Sequence, residues 1–235
     1  MRTKSTLYSN ELDNKKIFLS ASFPQRERSE KYFKTAYPLE ITDAVIAVVR
    51  ATFGRMGKLV FGGHPTISPL ILSVGEEFLP FIKEEYLPIV YMYQSKFFET
   101  IASEYTQRLI DKRIGKIIWV ETIGSDRNKS LFAMRKIMLE ESNPVAAIFI
   151  GGMEGIEEEF GLFTSLFKNR PVYCMGSTGG ASRLLAQKIV KNEISLSSEY
   201  KKITKEELLT SNIYPTLVNA IFSDLFLRTD YDIKV

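Results

Sequence analysis

Four turns in this 235-residue chain carry residue types that could hold or act on a phosphate-bearing ligand. The richest is Gly151-Gly152-Met153-Glu154-Gly155-Ile156-Glu157-Glu158-Glu159. Glycines let an anion approach the backbone, and a helix opening behind them offers free N–H groups and the positive end of its dipole. Acidic residues suit a first helical turn for the same dipole reason. That accounts for one or two of the three glutamates, but not for their place directly behind a glycine pair. The second turn, Gly62-Gly63-His64-Pro65, leads through Thr66 and Ser68 into another helix and carries the only histidine of the chain. His64 is either a general acid or base or a hydrogen-bonding turn residue. In the third turn, Ser20 and Ser22 either donate to a phosphate or simply cap a turn. The fourth, Gly176-Ser177-Thr178-Gly179-Gly180, is either a phosphate nest or a structural turn. No turn matches a dinucleotide fingerprint or a Walker loop, which disfavours hydride-transfer enzymes and P-loop NTPases.

Each turn follows a short apolar run, and those runs must position it. The pattern predicts strands over 16–20, 58–62, 88–93, 116–121, 145–150 and 171–175. Most are continuously apolar, as strands covered on both faces are. Helical periods over 41–53, 69–78, 97–110, 129–141, 156–167 and 181–191 alternate with them. Alternation of this kind predicts an α/β, Rossmann-like, doubly wound and mostly parallel sheet with helices on both faces. Open parallel sheets bind ligands beyond the carboxyl ends of their strands, where all four turns lie. A further amphipathic helix over 214–227 packs on an edge or on a second subunit. Its apolar positions Leu217, Ile221 and Leu225 suit either. The polar stretch 192–210 reads as a surface excursion, with Thr204 to Glu207 as a capping sequence.

No linker of Pro, Gly and Ser divides the chain, so it reads as one domain over 1–235. Its core spans about 16–192 and a helical extension about 204–228. The net charge is +3, with no basic block of the kind that marks nucleic-acid binding. One cysteine, Cys174, excludes an internal disulfide and a CxxC zinc site, and its apolar surroundings make it a buried strand residue. No metal or cofactor is expected. Residues 1–16 are polar and charged, unlike a secretory signal, and no apolar run is long enough to span a bilayer. A cytoplasmic location follows by default.

The turn GGMEGIEEE resembles the PGGxGTxxE signature of the lonely guy (LOG) family and of the wider SLOG superfamily. Two further features agree. An Arg-Lys pair, Arg135-Lys136, lies sixteen residues before the double glycine. KLVFGG, ending at Gly62-Gly63, is similar to the family's LVYGG. Together the matches span about 16–180. LOG proteins hydrolyse the N-glycosidic bond of nucleoside monophosphates, and SLOG relatives bind nucleotide-derived signals in bacterial antiviral systems. The resemblance implies a dimer or larger assembly, with an effector protein as a further partner. As a hydrolase, the chain would use Glu158 or Glu159 to stabilise an oxocarbenium-like transition state or activate water, with Arg135 clamping a phosphate or the leaving base. As a sensor, it would hold a nucleotide signal with the same groups. The ligand-binding set is then Ser20, Ser22, Gly62, Gly63, His64, Arg135, Gly151, Gly152, Glu154, Gly155, Ser177, Thr178 and Gly179. Glu154 inserted between the glycines, Ile156 for threonine and Ile150 for proline make the chain look like a divergent SLOG branch tied to defence or nucleotide signalling. A purely structural interaction protein is the third reading.

Overall fold

A computed structural model describes residues 11–101, 104–196 and 199–232. Residues 1–10 of the polar amino-terminal stretch, and positions 102 and 103 within the expected helix over 97–110, lie outside the described residues.

The chain alternates strand and helix in the order that its apolar pattern predicts. β1 (Lys16–Ser22) is followed by α1 (Glu30–Phe33) and α2 (Pro38–Phe53). β2 (Lys58–Phe61) leads to α3 (Ser68–Phe78), and β3 (Val90–Ser95) leads through a 3₁₀ segment (Lys96–Ile101) to α4 (Glu104–Asp111). β4 (Gly115–Val120) leads to α5 (Arg127–Ser142), and β5 (Ala146–Gly151) to α6 (Glu154–Leu166). β6 (Val172–Met175) leads to α7 (Gly180–Val190), then α8 (Lys205–Thr210) and α9 (Tyr214–Asp232). Local signals set several boundaries. Proline stands in the first turn of α2 and of α3, where its missing N–H costs nothing. The Asp126 carboxylate caps α5 by accepting from the backbone N–H groups of Asn128 and Lys129, each at 3.0 Å. Thr204 and Glu207 close a reciprocal capping box on α8, as their spacing predicts.

The six strands form one parallel sheet in the order β4-β3-β2-β1-β5-β6. Although the strands read as unbroken apolar runs, their side chains divide by alternation. Ile17 and Leu19 of β1, with Ile148 and Ile150 of β5, enter a core shared with α2, α3 and α9. Phe18 and Phe149 point the other way, into a core shared with α5, α6 and α7. There Phe18 meets Phe149 edge-on at 6.1 Å and stacks on Phe163 at 6.2 Å. Helices therefore cover both faces, and the fold is the Rossmann-like arrangement expected.

The carboxyl-terminal region closes on its own chain. Leu217, Ile221 and Leu225 of α9 are buried in the core beside α2, which decides between their two expected roles. The buried Asp224 carboxylate accepts from the Tyr173 hydroxyl at 2.8 Å and from the backbone N–H groups of Lys201 and Lys202. The Tyr200 hydroxyl donates to the Val172 carbonyl at 2.7 Å, and its ring stacks on Tyr173 at 5.5 Å. This segment lies over β6, an edge strand of the sheet. Cys174 is buried in β6, and burial raises its thiol far above the usual range. No helix among the described residues is long and apolar enough to cross a membrane.

Candidate functional site

Parallel strands place every carboxyl end on one rim. Strand order reverses between β1 and β5, where the chain leaves to opposite sides, and a crevice opens at that point. The register pairs Ser22 of β1 with Gly151 of β5, so the first and third sequence-predicted turns meet there. A cleft of about 930 Å³ runs from this point across the ends of β2 and β3 to the start of α5.

The floor of the cleft is an ionic cluster. Arg135, on α5, donates from Nε to Glu159 Oε1 at 3.2 Å and from Nη1 to Glu158 Oε2. The buried Ser20 hydroxyl donates to Glu159 Oε2. The Arg135 and Glu159 side chains keep only 14% and 13% of their exposure, whereas Glu158 keeps 54%. Burial raises the Glu159 pKa, while Arg135 and Ser20 oppose that rise. Gly155 makes room for the arginine, since a Cβ there would lie 2.6 Å from Arg135 Nη2. Next to Glu158 on α6, Glu157 accepts from the Tyr32 hydroxyl at 3.1 Å. Burial, reinforced by that carboxylate, pushes the Tyr32 pKa up to about 12.

The structure sorts the expected catalytic and ligand-binding residues into two groups. Ser20, Ser22, Gly62, Gly63, His64, Arg135, Glu154, Gly155, Glu158 and Glu159 line the cleft. Gly151, Gly152, Ser177, Thr178 and Gly179 lie behind it. Thr178 is fully buried, and its hydroxyl accepts from the Gly151 N–H at 2.9 Å. The Gly152 carbonyl accepts from the Ala181 N–H at 2.9 Å, and a Cβ on Gly180 would sit 2.6 Å from that same oxygen. Thr178 and Gly180 of the fourth turn thus pack against the GGMEG turn, while Gly179 packs against Thr35. Gly151 and Gly152, at φ of 59° and 75°, bend the chain so that α6 starts at the cleft.

His64 behaves as a turn residue. Its carbonyl accepts from the N–H groups of Ile67 and Ser68, and its Nδ1 lies 2.8 Å from Thr66 Oγ1. Burial, aided by the nearby Arg28 charge, lowers its pKa to about 4. The imidazole is therefore neutral at physiological pH. Because the chain has one histidine, its C2–H resonance identifies itself. Proton NMR is expected to show a midpoint near 4 that rises in Arg28→Ala; a midpoint at the ordinary 6.5 would contradict this.

The lining also includes residues not singled out from sequence, among them Gln25, Arg28, Gln94, Phe98, Arg127, Asn128 and Phe132. Two signals could have found some of them. Gln94 stands at the carboxyl end of β3, where the strand-end rule applies to any residue type and not only to glycine. Asn128, Phe132 and Arg135 share one face of α5 by their spacing. Arg28 lies in an irregular turn and gives no such signal. It is exposed and makes no ion pair among the described residues. Among the described residues no group of three or more His, Cys, Asp or Glu side chains could hold a metal ion.

The family model of the SLOG cluster3 family matches residues 31–208, well over half of the chain. The protein belongs to the SLOG cluster3 family. Among solved structures, this SLOG protein is similar to the X-ray structure of TM1055, a structural genomics target. The identity is 16% and the TM-score 0.52, over 89% of this chain and 98% of that one, a likeness of fold. Comparison with curated proteins finds no match.

Proposed function

We propose that this SLOG protein binds a nucleotide or nucleotide-derived signal in the cleft, as a single-domain sensor in cytoplasmic nucleotide signalling or bacterial defence. The observation that carries this reading is the division of chemistry along one cleft at the strand-order reversal. The desolvated Ser20–Glu159–Arg135 cluster suits sugar hydroxyls and an anion. Arg28 and Arg127 supply positive charge at the rim, and Phe98 and Phe132 supply flat apolar surface. The volume lies at the upper end of the usual range for small-molecule pockets. A bound signal would shift the equilibrium between copies of the chain or toward an effector. Tyr37, Leu39 and Ile213, at 50%, 80% and 64% exposure, give such an assembly an apolar surface to cover.

A glycosidic hydrolase is the second reading, and the raised pKa of Glu159 at the cleft floor favours it. Against it, Glu158 and Glu159 both come from α6 and both engage the same guanidinium. They do not flank a scissile bond from opposite sides, as a two-carboxylate mechanism requires. Thermal-shift measurements against nucleoside monophosphates, cyclic nucleotides and ADP-ribose species, with product analysis, test both. A stabilising nucleotide recovered intact supports the sensor. Release of free base, abolished in Glu159→Gln, supports the hydrolase. No shift with any nucleotide sinks both.

A further inference from the structure

We propose that Gln94 reads the base of the bound nucleotide, selecting a 6-aminopurine over a 6-oxopurine, with Phe98 and Phe132 holding the ring. This inference rests on the nucleotide reading above and specifies where the base lies. Gln94 is half-buried at the end of β3 and lines the cleft. Its amide lies against Gly63, where a Cβ would come within 2.5 Å of Gln94 Oε1. Among the described residues that amide makes no hydrogen bond. It therefore offers two N–H donors and a carbonyl acceptor to whatever enters. A carboxamide sets a donor beside an acceptor, which matches the N6–N7 edge of adenine. The O6–N7 edge of a 6-oxopurine presents two acceptors and leaves one half of the amide opposed.

The helix opposite sets the spacing. Asn128, Leu131, Phe132 and Arg135 form one stripe of α5 along the cleft. Arg135 and Asn128 are seven residues apart, about 10 Å along the axis. The inner end of the stripe meets Glu159 and Ser20. The outer end carries Phe132, 50% exposed, and faces the region of Phe98, whose ring has the Arg127 guanidinium 5.7 Å away. The cleft thus holds a desolvated, mutually paired ionic cluster at β1 and β2, and an amide, aromatic rings and the Arg127 cation at β3 and β4. A nucleotide fits this gradient in one direction, sugar toward Glu159 and base toward Gln94.

Calorimetric titration with AMP, IMP and ribose 5-phosphate tests the assignment. The full chain is compared with Gln94→Met, which keeps the side-chain length without the amide, once unfolding midpoints show that both are folded. The wild type is expected to bind AMP roughly tenfold or more tightly than IMP, since one bidentate base contact is worth about that much discrimination. Gln94→Met is expected to lose that preference, with ribose 5-phosphate binding unchanged. Equal wild-type affinity for AMP and IMP, or a preference that survives in Gln94→Met, overturns the role of Gln94 and leaves nucleotide binding standing. Failure of the wild type to bind AMP, IMP or ribose 5-phosphate overturns this inference, and the nucleotide reading falls with it only if cyclic nucleotides and ADP-ribose species also fail to bind.

Discussion

Gly179→Ala is expected to lower stability by roughly 3 kcal/mol or more, from backbone strain and overpacking together. Gly179 has φ 80° and ψ −160°, a region essentially closed to side chains. A Cβ there would lie 1.8 Å from the Thr35 carbonyl oxygen. That carbonyl cannot easily retreat. The Tyr37 N–H donates to the Thr178 carbonyl at 3.2 Å, and the Gly180 N–H donates to Thr35 Oγ1 at 3.3 Å, so the two segments are stitched on either side of the clash. Chemical denaturation of the variant against wild type measures the loss. A difference under about 1 kcal/mol, the level of an ordinary substitution, would show that the turn relaxes freely. Since Thr178 holds the Gly151 N–H, a displaced turn should also weaken ligand binding at the cleft it never touches.

Arg135→Met is expected to cost about 2–4 kcal/mol at neutral pH, because it strands the Glu159 carboxylate with Ser20 as its remaining partner. The pH dependence follows from burial. The folded pKa of Glu159 lies above the ordinary 4.5, so above that value the native state holds its proton longer than the unfolded chain does. The Glu159 contribution is therefore most favourable at low pH and is lost as pH rises through the folded pKa. Removing Arg135 removes the largest opposing influence, pushes that pKa higher and widens the window. The deficit of Arg135→Met should thus shrink as pH falls from 7 toward 5, and Arg135→Met with Glu159→Gln should recover most of the stability. A deficit that is flat across this range would mean that Arg135 acts by packing alone. Nucleotide affinity should stay low in both variants, which separates loss of the site from loss of the fold.

Much of this architecture was legible because strand ends in a parallel sheet share one rim. The apolar runs and their spacing gave the six strands in order, and the strand-end rule led to Ser20, Gly62 and Glu159. What pattern could not show was which glycines face a ligand and which face each other. Gly176-Ser-Thr-Gly-Gly180 and Gly151-Gly152 have the same local chemistry, and only tertiary packing makes the first the backing of the second. Phe97 to Ile110 reads as one helical period, yet the structure forms a 3₁₀ segment before α4, and that segment carries Phe98 to the cleft. Gln94 escaped notice because a glutamine ending an apolar strand resembles an ordinary boundary. Its significance depends on Gly63 in the turn after neighbouring β2 and on the absence of a hydrogen bond among the described residues.

The segment that Asp224 fastens over β6 has a consequence for handling the protein. An uncovered edge strand is a template on which other chains can add, and that is a route to aggregation. Here the Val172 carbonyl is already taken by Tyr200, and the tyrosine ring lies across Tyr173. Trimming the chain ahead of α9 to obtain a minimal domain would remove Asp224, release this guard and expose an adhesive border. The shortest fragment that stays monodisperse should therefore retain α9.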